Sequence, residues 1–515
     1  MQPPTIESSG AAAGPHSIAV MDRTATLGAL AQAGGDLLVS VLGSRDLAVS
    51  GLGYDSRLVA PGYLFFCVPG TTSDGHDFAA RAVDAGAAAL CVERELPLEV
   101  PQIVVSDVRR TMGRVAAEFY GHPSDALTLL GVTGTNGKTT TVFLLDSILR
   151  AEVGATGLIG TIETRIGERV EPGVRTTPES LDLQKLFARM VDDGIKACAM
   201  EVTSHGLVLH RVEGVRFQAA AFTNLSQDHL DFHPGMEQYF EAKRSLFVPE
   251  RLERGAVNID DEYGRRLLER AEVPLLTFGM SDAAEVRAED VRMDPSGTRF
   301  KIRTPKGDLD VSTHLIGAFN VSNCLAATAV ALQAGIGLDA IERGLEGLRA
   351  VPGRFEVIDE GQPFVVVVDY AHTPDSLDNV LRAARGAARR GRVICLFGCG
   401  GDRDKGKRPL MGAVAASLAD VVVVTSDNPR SEDPHAIIDQ ILEGVVAHRP
   451  EGPDVVDADR AEAMTAALSA GSAGDVVVIA GKGHETGQQF ADRTIPFDDR
   501  DVARSILRSL GWDAS

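Results

Sequence analysis

The sequence predicts an α/β protein of three domains. These are a small N-terminal α/β unit, a central and mostly parallel sheet with added antiparallel hairpins, and a C-terminal, Rossmann-like doubly wound domain. Three observations predict this. The chain has 515 residues, and a single core rarely grows past about 250–300 residues. Short apolar runs alternate with Ala-rich amphipathic stretches, the pattern of βαβ units. Most of those runs end in a polar cluster, as strands do when a site lies at their C-terminal ends.

Composition sets the outer limits. Apolar residues make up 44% and charged residues 24%, ordinary globular usage that excludes a fibrous or mostly disordered chain. The formal net charge is −21, so most of the surface repels a nucleic-acid backbone or an anionic membrane. Aromatics are only 5%, with one Trp, too few for the stacking platforms of single-stranded nucleic-acid binding. No apolar stretch approaches the roughly 20 residues that span a bilayer. The N-terminus lacks a basic region followed by an apolar run, so no signal peptide is expected. Six scattered cysteines without a C-x-x-C pair suit reduced thiols in the cytoplasm.

Residues 1–20, rich in Pro, Gly, Ser and Ala, read as a loose tail. The first domain, 21–125, has apolar runs at 64–68, 87–93 and 102–108, and its segment YDSRLVAPGYLFFCVPGTTSDGHDF is dense in turn residues and hydroxyls, as a binding surface is. The second, 126–351, carries apolar runs at 196–202, 218–225 and 255–260, alternating segments over 285–315 that read as hairpins, and a helical stretch at 320–348. VPGR at 351–354 reads as a linker. The third, 352–515, has strands expected at 364–370, 392–398, 420–426 and 475–481, with Ala-rich helices between.

The strongest motif is GVTGTNGKTTT, placed between an expected strand and an expected helix. That is the context of a phosphate-binding loop. Gly134 and Gly137 let the backbone approach phosphate oxygens, and Lys138 supplies a point charge. Thr139 can offer its hydroxyl to Mg²⁺, and the helix N-terminus favours an anion. Thr135, Asn136 and Thr140 complete the loop. The match departs from G-x-x-x-x-G-K-[ST] at its first position, where Val132 stands and Gly131 is one residue early. Such a loop says only that a phosphate chain is held.

Carboxylates follow the next strands. Glu201 ends an apolar run, where an acid can bind Mg²⁺. Asn224, Asp228, His229, Asp231 and His233 lie in TNLSQDHLDFH directly after another. Zinc is disfavoured, because there is no paired helical spacing and no nearby Cys; His229 reads instead as a ligand or positioner for a second Mg²⁺. Lys243, in YFEAKRSLF, reads on the residues alone as a solvated helix lysine.

Taken in order, TGTNGKTT, EVTSH, TNLSQDHLDFH, GAFNVSN, PGRFE, DYAHTPDSL and GKGHE resemble the Mur ligase family of peptidoglycan synthesis. The resemblance runs from about residue 50 to 500 and includes the three-domain order. Within the family, DSR (55–57), GCGGDRDKGKRP (398–409) and DNPR (427–430) resemble the members that add meso-diaminopimelate. The resemblance implies an ATP-dependent ligase. ATP phosphorylates the γ-carboxylate of D-Glu in a UDP-N-acetylmuramoyl dipeptide, and the diaminopimelate amine attacks the acyl phosphate. An amide, ADP and phosphate result. Phosphorylation gives a poor electrophile a good leaving group, and cations offset the repulsion between the two anions.

The resemblance also implies roles. Thr139 and Glu201 hold one Mg²⁺, and His229 helps hold the second. Lys243 is carbamylated, which turns a cation into a carboxylate-like ligand. Asn320, Arg354 and Asp369 contact the adenine, phosphates and ribose, which requires the C-terminal domain to close on the central one. Ser56, Thr71, Thr72 and Ser73 line the uridine end of a UDP-binding N-terminal domain. Thr176, Thr177, Thr203 and Arg211 contact the diphosphate, sugar or peptide. Thr203 stands where the family commonly has Ser, and Leu209 where some members have Gln. For the amino acid, Arg430 grips the far carboxylate bidentately. Asp427 and Asn428 orient the neighbouring amine, Pro429 stiffens the turn, and Arg403, Gly481 and Glu485 complete the pocket. On physics alone, DNPRSEDP is equally a loop that caps a helix.

Other readings are a lysine-adding or folylpolyglutamate-type ligase, a P-loop ATPase or kinase that stops at phosphoryl transfer, and a non-enzymatic scaffold. The expected partners are small molecules, with no nucleic acid and no membrane insertion.

Overall fold

Val-rich runs dominate the C-terminal third because parallel strands are buried on both faces. In the computed structural model, which describes residues 23–70, 73–294, 296–388 and 390–512, they form a six-stranded sheet. Its order is Glu356–Ile358, Val365–Asp369, Val476–Ala480, Val393–Phe397, Val421–Thr425, Val455–Asp457. Only the first pair is antiparallel. Alternation along one strand feeds two cores: Val366 and Val368 pack with Met464 and Leu468, and Val367 packs with Leu377 and Leu381. The expected tail over 1–20, and Thr71 and Thr72, lie outside the described residues.

The chain divides into two compact units. The second comprises 130–154, 199–204 and 218–515, and so holds both the loop GVTGTNGKT from Leu130 onward and the C-terminal sheet. Its other strands run side by side as Ala197–Glu201, Thr128–Thr133, Phe217–Phe222, Leu252–Asn258, Leu275–Gly279, Val286–Asp294, Gly297–Arg303, Leu309–Thr313. Phe217–Phe222 is parallel to Thr128–Thr133. The last three strands pair antiparallel, as the alternation over 285–315 predicts. The helical stretch at 320–348 is two helices, Ala318–Gln333 and Leu338–Gly347, separated where Gly335 takes φ 84°.

The first unit comprises 1–129, 155–198 and 205–217. Its five-stranded sheet has the order Leu38–Leu42, Gln102–Val105, Ala89–Val92, Tyr63–Phe66, Gly51–Gly53, antiparallel only at the first pair. The helix Val108–Tyr120 covers it, capped by Asp107 at the start and ended by Gly121 at φ 74°. Residues 157–172 add three antiparallel strands, Gly157–Ile159, Glu163–Ile166 and Arg169–Pro172, that the sequence pattern did not announce.

Candidate functional site

The loop after Thr128–Thr133 turns on two glycines. Gly134 has φ 148° and Gly137 φ 84°, a region that side-chain-bearing residues avoid. Neighbours close the same positions. A Cβ on Gly134 would lie 1.9 Å from Thr223 Oγ1, and one on Gly137 2.4 Å from Asn323 Oδ1. Helix Lys138–Val153 starts immediately after, and its N-cap Gly137 makes no side-chain cap bond to the first N–H groups. The adjacent strand end braces the loop. Asn224 Oδ1 accepts from the Asn136 amide at 2.9 Å, and Thr223 Oγ1 donates to Asn136 O at 2.6 Å.

Two lysines converge on this loop. Lys138 Nζ donates to the carbonyls of Gly134 (3.0 Å) and Thr135 (2.6 Å). Lys243 Nζ donates to Gly134 O at 2.7 Å and lies 4.7 Å from the Tyr239 ring centre. Lys243 is 1% exposed, contrary to a solvated helix lysine. Burial first, and the neighbouring Lys138 second, hold its pKa well below the usual lysine value. Burial also lowers that of Lys138, against the pull of Glu201 and Asp228.

Around them sit the other expected ligands. Glu201 is 1% exposed at the end of Ala197–Glu201, and Thr139 is buried in the first helical turn. His229 takes φ 54° and brings Nε2 to 3.4 Å from Asp228 Oδ2. Among the described residues, no three His, Cys, Asp or Glu side chains gather closely enough to hold a metal ion by themselves. Thr139 offers a hydroxyl and Glu201 a carboxylate oxygen, donors of the kind Mg²⁺ takes.

The C-terminal sheet brings its loops to the same place. The four parallel strands 365–369, 476–480, 393–397 and 421–425 end in YAHTP, GKGHE, GCGGDRDK and SDNPR. Arg354 Nη2 donates to Thr139 Oγ1 at 3.2 Å, and its guanidinium stacks 4.2 Å from the Tyr370 ring centre. Asp375 Oδ2 accepts from Asn136 Nδ2 at 2.6 Å and from Ser226 Oγ at 3.2 Å. His372 Nε2 lies 3.9 Å from Asp228 Oδ2. Burial pushes His372 down to about 4. Burial opposes ionisation of Asp228, but His372, His229 and Lys407 outweigh it and bring the carboxyl to about 2.

Asp369 stands differently from the rest. Both carboxylate oxygens accept backbone amides, from Phe355 at 2.6 Å and Ala371 at 2.7 Å. It thereby fixes the linker, where Phe355 adopts φ 48°. Asn320 and Asn323 are buried in the first turns of their helix and bonded to each other at 3.0 Å.

The DNPR loop lies beside GKGHE. Asn428 Nδ2 donates to Glu485 Oε2 at 2.7 Å, while its Oδ1 accepts from the Gln489 amide at 2.9 Å. The amide therefore presents N–H, a donor suited to a carboxylate and not to an ammonium. Asp427 is buried, and burial raises its pKa despite Arg460 and Lys482. Gly481, at φ 116°, leaves room for Asp427, whose Oδ2 would lie 2.8 Å from a Cβ there. Arg430, at φ 53°, donates to Gly401 O at 2.6 Å. Arg403 is bonded to Asp402 O. Pro429 O accepts the Glu432 amide at 3.0 Å and tightens the turn.

Similarity to known proteins follows the same order along the chain. The Mur ligase family catalytic domain matches residues 48–120, the Mur ligase middle domain 132–331 and the Mur ligase glutamate ligase domain 353–483. A protein of Geobacillus thermodenitrificans named UDP-N-acetylmuramoyl-L-alanyl-D-glutamate--2,6-diaminopimelate ligase is 50% identical over 461 residues, 88% of this chain and 94% of that one. The chain belongs to the Mur ligase family. A relative of the same name from Solibacter usitatus is 49% identical over 492 residues, 93% of this chain and 99% of its own. A solved structure with that name superimposes with a TM-score of 0.67 at 32% identity, covering 95% of this chain and 99% of that one.

The remaining Mur ligase motifs lie mostly in the first unit. Glu179 is buried and gathers Arg109 (3.0 Å), Arg175 and Arg211 (3.1 Å). Arg211 also donates to Thr177 O at 3.2 Å, and Thr176 pairs with Thr161 at 3.0 Å. Ser56 is buried and Ser73 is exposed. Thr203 belongs to the second unit. Sequence reasoning assigned no role to Asp228, Tyr239, His372, Asp375 or Lys482. Each sits inside or beside a motif, which was the only signal available.

Proposed function

We propose that this Mur ligase adds meso-diaminopimelate to the D-Glu γ-carboxylate of UDP-N-acetylmuramoyl-L-Ala-D-Glu, with ATP and Mg²⁺, in peptidoglycan precursor synthesis. The observation that carries it is the convergence of the phosphate loop with the DNPR and GKGHE loops within one unit. The names of relatives about half identical over most of the chain support the same reaction.

In this reading the loop Gly134–Thr140 and Lys138 hold the ATP phosphates. Thr139, Glu201, His229 and a carbamylated Lys243 hold Mg²⁺, which when bound neutralises charge on phosphate oxygens. Arg354 reaches in from the linker beside Thr139, and Asn320 and Asp369 border the nucleoside. The γ-phosphoryl group passes to the D-Glu carboxylate, and ADP leaves. The free amine of diaminopimelate then attacks the acyl carbon, phosphate departs with the bonding electrons, and the amine loses its proton. Burial around Lys243, Glu201 and Asp228 keeps water from competing for the acyl phosphate. Ser56, Thr71, Thr72, Ser73, Thr176, Thr177, Thr203 and Arg211 serve the UDP-sugar-peptide. Arg430 and the Asn428 amide take the distal carboxylate, Asp427 and Glu485 the distal ammonium, with Arg403, Pro429 and Gly481 shaping the pocket. A cytoplasmic setting fits the six buried free cysteines and the absence, among described residues, of any helix long and apolar enough to cross a membrane.

The test is phosphate release with ATP, Mg²⁺ and the UDP-muramoyl dipeptide, with diaminopimelate, lysine or no amine. Release that depends on diaminopimelate, with a tripeptide product, supports the reading. Release with lysine keeps the ligase and removes the role of Arg430. Release indifferent to any amine makes the protein an ATPase or kinase.

A further inference from the structure

Lys482, in GKGHE, is fully buried, and three oxygens surround its Nζ. They are Gly487 O at 2.7 Å, Asn428 Oδ1 at 3.1 Å and Glu485 Oε2 at 3.1 Å. Asp427 Oδ1 lies farther out, at 4.0 Å. An ammonium has three N–H groups, so the three near oxygens use all of them. Lys482 therefore has no hydrogen left for a substrate, and its role must be exercised through its neighbours.

Those neighbours are the residues that face the amino acid. Asn428 Oδ1 receives both Lys482 and the Gln489 amide. With its oxygen taken twice, the Asn428 amide cannot turn over, and Nδ2 points to Glu485, with one N–H to spare. Glu485 gives one oxygen, Oε2, to both Asn428 and Lys482, and Oε1 is left for a ligand. Asp427 and Glu485 together carry two negative charges, for a single substrate ammonium. Lys482 offsets one of them. Without it, Asp427 and the part-exposed Glu485 would share the site with Arg460, itself paired to Asp499, as the remaining nearby cation, a state that is relieved by protonation or by swinging outward.

We propose that Lys482 is a positioning residue for amino-acid selection: it locks the Asn428 amide as a donor and pins Glu485, so that the pocket matches one ammonium and one carboxylate. This rests on the reading of the DNPR loop given above. A bound amine with a carboxylate beside it finds both partners prearranged. Lysine leaves the spare N–H of Asn428, and the N–H groups of Arg430 beyond its bond to Gly401 O, without an acceptor.

The test is steady-state kinetics of Lys482→Met and Lys482→Gln in the full chain, varying each substrate in turn. The expected result is a fall of about 10- to 100-fold in kcat/KM for diaminopimelate, from loss of charge-assisted bonds. KM for ATP and for the UDP-muramoyl dipeptide should stay within about two-fold, because uniform damage would move all three. The preference for diaminopimelate over lysine should shrink in parallel. A variant that keeps both the diaminopimelate KM and the preference overturns the proposal. So does one in which all three KM values rise together, or failure of both variants to fold, since Lys482 then serves the fold and not the pocket. If the wild type itself prefers lysine, the DNPR reading fails first, which separates the two.

Discussion

Arg460→Met gives the sharpest check on how the amino-acid pocket is held up. Arg460 and Asp499 are both fully buried. Their contact is bidentate, Nε to Oδ1 at 2.8 Å and Nη2 to Oδ2 at 2.6 Å. The same guanidinium also donates to Ser426 O at 3.2 Å and Ala480 O at 2.9 Å. Those two carbonyls immediately precede Asp427 and Gly481, so one side chain ties two strand ends beneath the pocket. Removing it strands a buried carboxylate, at a cost of about 3–5 kcal/mol. For the second unit, 329 residues, at about 2.1 cal/mol/K per residue, 3–5 kcal/mol lowers Tm by roughly 4–7 °C. Scanning calorimetry of the full chain should show that drop in the transition containing the C-terminal sheet. Arg460→Met with Asp499→Leu should recover most of it, because the main cost is the unpaired charge and not the lost pair. A fall below about 2 °C for the single variant, or a double variant no better than the single, would refute the argument.

Other outcomes follow from the same geometry. Gly137→Ala must hold φ 84° with its Cβ 2.4 Å from Asn323 Oδ1, so KM for ATP should rise at least about 10-fold in amine-dependent phosphate release. Lys243→Arg cannot form a carbamate, and Mg²⁺-dependent turnover should fall by about 100-fold or more, while native mass spectrometry of the wild type at raised CO₂ should show one added CO₂ that the variant lacks. Arg430→Ala should cost about 10- to 1000-fold in kcat/KM for diaminopimelate and leave lysine nearly unchanged. Glu432 is held down to about 2, chiefly by its hydrogen bond to Arg408, against some opposition from burial. Its folded pKa lies below the unfolded one near 4.5. Its contribution is thus complete above that value and lost as pH falls towards about 2. Acid unfolding of Glu432→Gln, followed by circular dichroism, should lack that part of the slope.

Much of this molecule was legible in order along the chain. Continuous Val runs at 365–368, 421–424 and 476–478 could only be strands buried on both faces, and they fixed a parallel C-terminal sheet. GTNGKT between an apolar run and an amphipathic stretch fixed the phosphate loop, since phosphate needs Gly backbone and a helix start. Alternation over 285–315 fixed the hairpins. Short or polar strands such as Arg169–Pro172 and Val455–Asp457 escaped, because their pairing depends on neighbours distant in sequence. Lys243 shows the limit most plainly. On the sequence it is one more lysine in a polar helix, and only packing of Tyr239 and Gly134 around it removes the water and lowers its proton affinity. Lys482 is the same case: the sequence supplies a cation next to glycine, and the fold alone commits its three hydrogens. Local chemistry is written in residue order, because it depends on side-chain type and short-range backbone preference. Burial, charge compensation and the orientation of an amide depend on what arrives from elsewhere in the chain, so tertiary structure alone decides them.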